Sequence, residues 1–239
     1  MRNTVAIMQR ELLSLFFSPI GYIVIAGFLL ITGVIVLVTD SIGPGKPATL
    51  RSVFDFTPYV LTIIIPAISM RTIAEEYRTG TIETLTTAPV SDTQFVIGKY
   101  LAALLFYAIM LAGTLIYLVL MMLFGNPDVG AALSAYLGLL LLGASFTAFG
   151  VFTSSLTHNQ IVAWMLGMVP LMLFVWFAAF IVRIAEGGLR QAFQQINILR
   201  HLDQFNRGLV TTESVVFFLA TAVLFLFLAI KVVESRRWR

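Results

Sequence analysis

The chain has 239 residues, 59% of them hydrophobic and 11% charged, with a formal charge of +3. Soluble domains carry roughly 25% charged residues, so a soluble globular protein is excluded, and so mild a charge gives no case for a nucleic-acid partner. Cysteine is absent, which removes disulfides, thiolate chemistry and cysteine-held metals.

Residues 2–18 predict an interfacial helix. Val5, Met8, Leu12, Leu15 and Phe16 fall on one side at helical spacing, with Asn3, Arg10 and Ser14 on the other. That pattern suits a helix lying in the headgroup plane; the alternative is an extension of the first span. Ser18-Pro19 marks a bend, because proline disfavours helix at the preceding residue. The first span follows at about 20–38. Its apolar run exceeds a signal-peptide core of about 7–15 residues and reads as a retained transmembrane helix. The second span, about 53–70, is charge-free only from residue 56, about 22 Å of helix. Arg51 or Asp55 therefore snorkels or lines protein, and Pro66 predicts a kink.

The third span, about 95–124, has a well-specified start. Ser91 stands as N-cap with Gln94 at N3, a capping box, flanked by Val90 and Phe95 at the hydrophobic-staple positions. Pro89 stops whatever precedes it. Gly125-Asn126-Pro127-Asp128 is a turn. Residues 129–182 contain no Asp, Glu, Lys or Arg. A crossing needs about 20 apolar residues, so this run holds two spans, about 134–156 and 161–182. Thr157-His158-Asn159-Gln160 is the hairpin between them. Leu189, Phe193, Ile196, Leu199, Leu202 and Phe205 then give one apolar helical stripe, stopped near Gly208. This amphipathic segment lies on the outer surface or dips in as a re-entrant element. The last span, about 215–230, has Thr211, Thr212 and Ser214 as candidate caps. The fold class is an all-α integral membrane protein: one transmembrane domain over residues 1–239 with six transmembrane helices.

Six spans place both termini on one side. With the termini inside, the inner segments hold Arg2, Arg10, Arg71, Arg78, Lys99, Lys231, Arg236, Arg237 and Arg239. The outer ones hold Lys46, Arg51, Arg183, Arg190, Arg200 and Arg207. The bias favours termini in the cytoplasm, hence the cytoplasmic membrane. The basic tail around Trp238 suits anionic headgroups.

Catalytic chemistry has few candidates. His158 and His201 fall on opposite sides and cannot share a metal. The serines of the spans, Ser145, Ser154 and Ser155, lie outside any G-x-S-x-G context and suit close helix packing, as do Ala144 and Ala148. Gly98-Lys99 is followed by Tyr100 where a phosphate loop needs Ser or Thr, so the chain holds no Walker A. No cofactor, metal or catalytic site is expected in it.

The polar chemistry is concentrated between the second and third spans. Residues 70–100 hold Arg71, Glu75, Glu76, Arg78, Glu83, Asp92 and Lys99, an island in an apolar chain. Packed helices usually connect through about 2–8 residues, and longer loops tend to be functional. Ile73, Tyr77, Ile82 and Leu85 give the island an apolar side, and Gly80 sits where a break is needed. The bland reading is a solvated loop. The functional one is a short helix parallel to the membrane, used as a docking lever.

The run from Met70 to Leu85, followed by Ala88-Pro89-Val90-Ser91-Asp92 and Gly98-Lys99-Tyr100, resembles the signature of ABC-2 type permeases, the membrane subunits of one class of ATP-binding-cassette transporters. Arg10-Glu11-Leu12, Phe17-Ser18-Pro19-Ile20-Gly21-Tyr22, Ser154-Ser155-Leu156-Thr157 and Asn159-Gln160-Ile161-Val162 are similar to the gliding-motility and nitrous-oxide-reductase-maturation branch. Tyr77 stands where Arg or Lys is common in the pattern.

The resemblance implies six spans per subunit and a second permease copy or paralogue. It also implies separate ATPase subunits that bind the ATP and Mg. The first cytoplasmic loop, 71–99, would carry the coupling helix, with Arg71, Glu75, Glu76, Tyr77, Arg78, Gly80, Thr81 and Glu83 at the ATPase interface. The expected function is the permease subunit of an ATP-driven transporter, an exporter. Its rivals are a mechanotransmission or signalling module acting on an outer-face partner protein, and a structural subunit of an envelope complex. The topology has a direct check. A single cysteine at Ser91 should label only from the cytoplasmic side with an impermeant reagent, and labelling from outside intact cells would overturn the arrangement.

Overall fold

The computed structural model describes residues 2–39, 49–80, 91–184 and 193–237. The described residues form helices joined by short connections. In chain order these are α1 (Arg2–Phe17), α2 (Pro19–Val38), α3 (Arg51–Ser69), α4 (Ala74–Thr79), α5 (Asp92–Gly113), α6 (Leu115–Phe124), α7 (Val129–Leu156), α8 (Gln160–Ile184), α9 (Ile198–Asn206) and α10 (Thr212–Arg237). Among the described residues, six stretches are long and apolar enough to cross a membrane: α2, α3, α5 with α6, α7, α8 and α10. The chain is thus an all-α integral membrane protein, as its composition demands.

Local signals place most boundaries. Ser18 is extended (φ −84°, ψ 133°) and Pro19 opens α2, so α1 and α2 are separate helices. The capping box at α5 is present: Ser91 Oγ accepts from Gln94 N, and the Gln94 side chain accepts from Ser91 N. Val90 lies outside the described residues, so its staple does too. Asp128 caps α7 by accepting from Ala131 N at 3.1 Å, five residues before the sequence places that span. Asn159 Oδ1 accepts from Ile161 N at 2.9 Å and starts α8.

Four expectations need correction. The third span is not one helix: it breaks at Thr114, whose carbonyl accepts from Tyr136 Oη of α7 at 3.0 Å. The last helix does not end near residue 230, because Lys231, Glu234, Ser235 and Arg236 continue it beyond the apolar stretch to Arg237. The Thr211 and Ser214 hydroxyls do not cap it; both turn to Gln204 Oε1, at 2.6 and 2.7 Å. The amphipathic stripe is interrupted at Asn197, whose side chain accepts from Leu199 N at 2.9 Å and starts α9 afresh. Gly188 and Leu189, the expected start of that stripe, lie outside the described residues.

α7 is the axis of the bundle. It packs against α3, α5, α8, α9 and α10, and its small residues allow those approaches. Tyr100 Oη donates to Ala144 O at 3.3 Å, Tyr107 Oη to Leu139 O at 2.7 Å, and Ala148 is buried. By contrast α2, α8 and α10 expose large apolar side chains along their lengths, as spans facing lipid do.

α9 is seated in the bundle rather than lying loose on it. Phe205 is fully buried against Gly138, and Ser134 Oγ donates to Phe205 O at 2.6 Å. Arg51 and Asp55, the charges that shorten the second span, face α9: Arg51 pairs with Asp203 at 3.1 Å, and Asn206 donates to Asp55 at 2.7 Å. Phe205→Ala should cost roughly 3–5 kcal/mol and release this lid, whereas Asn197→Ala should cost about 1 kcal/mol through the lost cap. Thermal unfolding in detergent checks the order; equal effects would mean that α9 is not anchored through Phe205.

Candidate functional site

The polar island enters the structure as a tight turn, residues 70–73, followed by α4. The first turn of a helix leaves backbone N–H groups without partners, and a helix as short as α4 cannot form on propensity alone. A side chain from another span solves both problems. Ser154 Oγ, near the end of α7, accepts from Ile73 N at 3.1 Å and Ala74 N at 3.0 Å, and donates to Met70 O at 2.9 Å. One hydroxyl thus pins the end of α3 and the start of α4 to the axial helix. Gly80, at φ 71°, closes α4 in the left-handed region, where glycine carries no Cβ penalty.

Glu76 points inward. Its Oε1 lies 2.9 Å from Lys99 Nζ of α5 and 3.0 Å from Arg10 of α1. Glu11 of α1 completes the group, with Oε1 2.8 Å from Arg10 and 3.2 Å from Lys99. Two carboxylates and two cations from three helices therefore share one joint. Lys99 is only 1% exposed, and its ammonium lies 5.1 Å from the Phe95 ring. α1 reaches Lys99 because the neighbouring residue is Gly98, where a Cβ would meet Ile7 Cγ2 at 2.9 Å. Arg71 extends the joint to the α1–α2 bend by donating to Ser18 Oγ at 2.7 Å. Arg10, Glu11, Arg71, Glu76 and Lys99 line a cavity of about 450 Å³.

Burial works to raise the Glu11 pKa, but Lys99 and Arg10 outweigh it, and the carboxyl sits below its ordinary value. The Tyr77 hydroxyl is pushed up by burial, against the opposing charge of Arg236. Tyr77 is the second anchor of α4. The Arg236 guanidinium of α10 stacks 4.7 Å over its ring, and the His158 ring meets it edge-on at 5.1 Å. Arg236 also bonds His158 Nε2 at 3.1 Å and the Leu156 carbonyl. His158 is thereby part of a contact between α4, α10 and the α7–α8 hairpin.

The expected site residues separate into two groups. Arg71, Glu76 and Tyr77 are turned into the bundle. Arg78 is exposed and pairs with Glu75 at 2.7 Å, and Gly80 is exposed beside it. Thr81 and Glu83 lie outside the described residues. Ser91 and Gln94 form the cap that starts α5. Sequence spacing alone does not join Arg10, Glu11 and Lys99 to Glu76. The available signal was a lone lysine two turns into an apolar helix, which requires a buried counter-charge. Ser154 gives no such signal, because a serine in a span ordinarily serves packing.

The joint makes stability depend on charge. Lys99→Met leaves Glu11 and Glu76 sharing Arg10 and should cost roughly 3–5 kcal/mol at neutral pH. Glu11 has a depressed native pKa, so its contribution is present above the ordinary carboxylate value of about 4.3 and is lost as pH falls through the native value. Glu11→Gln should therefore lower thermal stability more at about pH 7 than at about pH 3, the window set by that depressed pKa. A loss independent of pH would show that the ion pairs contribute nothing specific.

No individually curated protein matches the chain. The family profile described as ABC-2 family transporter protein matches residues 45–231, from before α3 to within α10. That stretch contains α4, Lys99, Ser154, four whole spans and most of the last one. The chain therefore belongs to the ABC-2 family, as a multi-pass membrane subunit of an ABC transporter.

Proposed function

We propose that the chain is the permease subunit of an ATP-driven exporter and that α4, with the loop following it, receives motion from a separate ATPase subunit. ATP and Mg belong to that partner, and a second copy or a paralogue completes the transporter. The observation that carries this reading is the double anchoring of α4: Ser154 fixes its start to α7, while Glu76 fixes its middle to α1 and α5. A push on its exposed end, at Arg78 and Gly80, is delivered to three parts of the bundle at once.

This reading divides the island by task. Glu75, Arg78, Gly80, Thr81 and Glu83 meet the ATPase; Arg71, Glu76 and Tyr77 pass the displacement on. The joint borders a polar cavity, and a partner that binds one arrangement of α4 more tightly than another shifts the population toward it. With both termini and this loop in the cytoplasm of an inner-membrane protein, the ATPase docks from the cytoplasmic face.

Two variants distinguish docking from transmission. Combining Arg78→Glu with Glu83→Lys should weaken ATPase capture by about 30-fold or more, the equivalent of one truncated charge contact of roughly 2 kcal/mol. Glu76→Gln should keep capture while ATP turnover in nanodiscs ceases to respond to the permease. If the charge reversals leave capture unchanged, the loop is not the docking site. If Glu76→Gln leaves turnover responsive, α4 only attaches the partner, and the structural-subunit reading moves ahead.

A further inference from the structure

At the level of the spans, α7, α8 and α10 draw apart around a cavity of about 320 Å³. It lies away from the charged joint. Phe146 and Phe149 of α7, Leu171 and Phe174 of α8, and Phe225 of α10 form its walls, and Ile196 and Ile198 close the end nearest α9. Its two hydroxyl groups are already committed to backbone carbonyls: Ser145 donates to Phe218 O and Thr221 to Phe217 O, both at 2.8 Å. The walls thus offer no free hydroxyl donor to an occupant and are otherwise apolar, and water does not fill an apolar cavity of this kind. Hydrocarbon suits it.

The mouth shows where that hydrocarbon comes from. Phe174, Ile196 and Leu224 line the cavity yet are 41%, 44% and 53% exposed on the outside of the spans. The opening is sideways, toward the acyl chains of the bilayer. The volume lies at the low end of small-molecule sites, roughly 300–1,000 Å³, which fits one chain rather than the two-chain body of a lipid.

Polarity changes abruptly at the α9 end. Phe217, in the wall, stacks on buried His201 at 4.4 Å, whose ring nitrogens meet Ser214 Oγ and Gln195 O, both at 2.9 Å. Gln195, next to the cavity-lining Ile196, and Arg200, two residues after Ile198, are exposed. An apolar slot that ends at a polar, exposed rim matches an amphiphile with its chain inside and its head at the surface.

We propose that this cavity binds one acyl chain of a bilayer phospholipid, with the headgroup at the level of Gln195 and Arg200. The site stands on the membrane-embedded bundle alone and does not depend on ATPase coupling, so the two readings fail separately.

The test uses the chain in phosphatidylcholine nanodiscs doped with phosphatidylcholine carrying a mid-chain diazirine. After photolysis, labelled residues are mapped by mass spectrometry. Labelling at Phe146, Phe149 and Phe225 should exceed that at the exposed α2 residues Ile23 and Leu30 by about tenfold, as for a site about 1.4 kcal/mol tighter than the annulus. Thr221→Phe, which fills the slot, should abolish the excess, and Val223→Phe, on the exposed face of α10, should leave it intact. If Thr221→Phe does not give a monodisperse protein, Leu224→Trp blocks the mouth from outside and should have the same effect. Even labelling over all exposed spans would overturn the proposal, as would an excess that survives both blocking variants. Labelling by a free fatty-acid probe but not by the phospholipid would overturn it as well. So would cross-links joining cavity residues of two copies, which would make the slot a subunit contact.

Discussion

A lysine with 1% of its surface exposed is the constraint on which the α4 end of this bundle depends. An ammonium removed from water requires close counter-charges, and two carboxylates at about 3 Å supply them. Glu11 and Glu76 come from different helices, so satisfying Lys99 draws α1, α4 and α5 together. Arg10 then balances the second negative charge. Breaking such a group costs far more than its net contribution to stability, because the remaining charges stay buried. The joint therefore tolerates displacement as a unit better than dismemberment, a property suited to carrying motion.

The apolar remainder of the chain follows the same rule in weaker form. Hydroxyls embedded in the spans turn to backbone carbonyls, as Thr32, Thr57, Ser69 and Ser145 do, because an unpaired polar group in hydrocarbon is costly. Ser154 goes further. Its hydroxyl donates to the Met70 carbonyl at the end of α3 and also accepts from the backbone N–H groups of Ile73 and Ala74 at the start of α4. At the other end of the bundle, Arg51 and Asp55 find partners on α9, so charges that seemed to shorten a span instead tie down its lid.

The bundle is uneven in burial. α7 is held on most sides, while α2, α8 and α10 lean outward with exposed aromatic and aliphatic side chains. Any displacement of α4 would enter this axis directly at Ser154. α10 is touched at both ends, by Arg236 over Tyr77 and by Ser214 beside His201. α10 also forms a wall of the apolar cavity, which places that cavity where a rearrangement of α7 against α10 would alter its width.

By itself the sequence determined the features that arise from neighbouring residues and from the bilayer as solvent. Apolar stretches located six crossings, Pro19 separated α1 from α2, and Ser91 with Gln94 opened α5. Gly80 ended α4 where a glycine break was expected. Each follows from backbone sterics, local hydrogen bonding or the cost of polar groups in lipid, and none needs a distant partner. Tertiary structure decided what depends on residues far apart in the chain. Glu76 reads as a docking charge until Lys99 and Arg10 are found beside it. Ser154 reads as a packing residue until the turn after α3 is brought against it. The third span reads as continuous until Tyr136 reaches the Thr114 carbonyl. In each case the deciding interaction is a hydrogen bond or ion pair across helices, whose strength comes from exclusion of water, and burial of that kind has no periodicity along the chain from which it could be read.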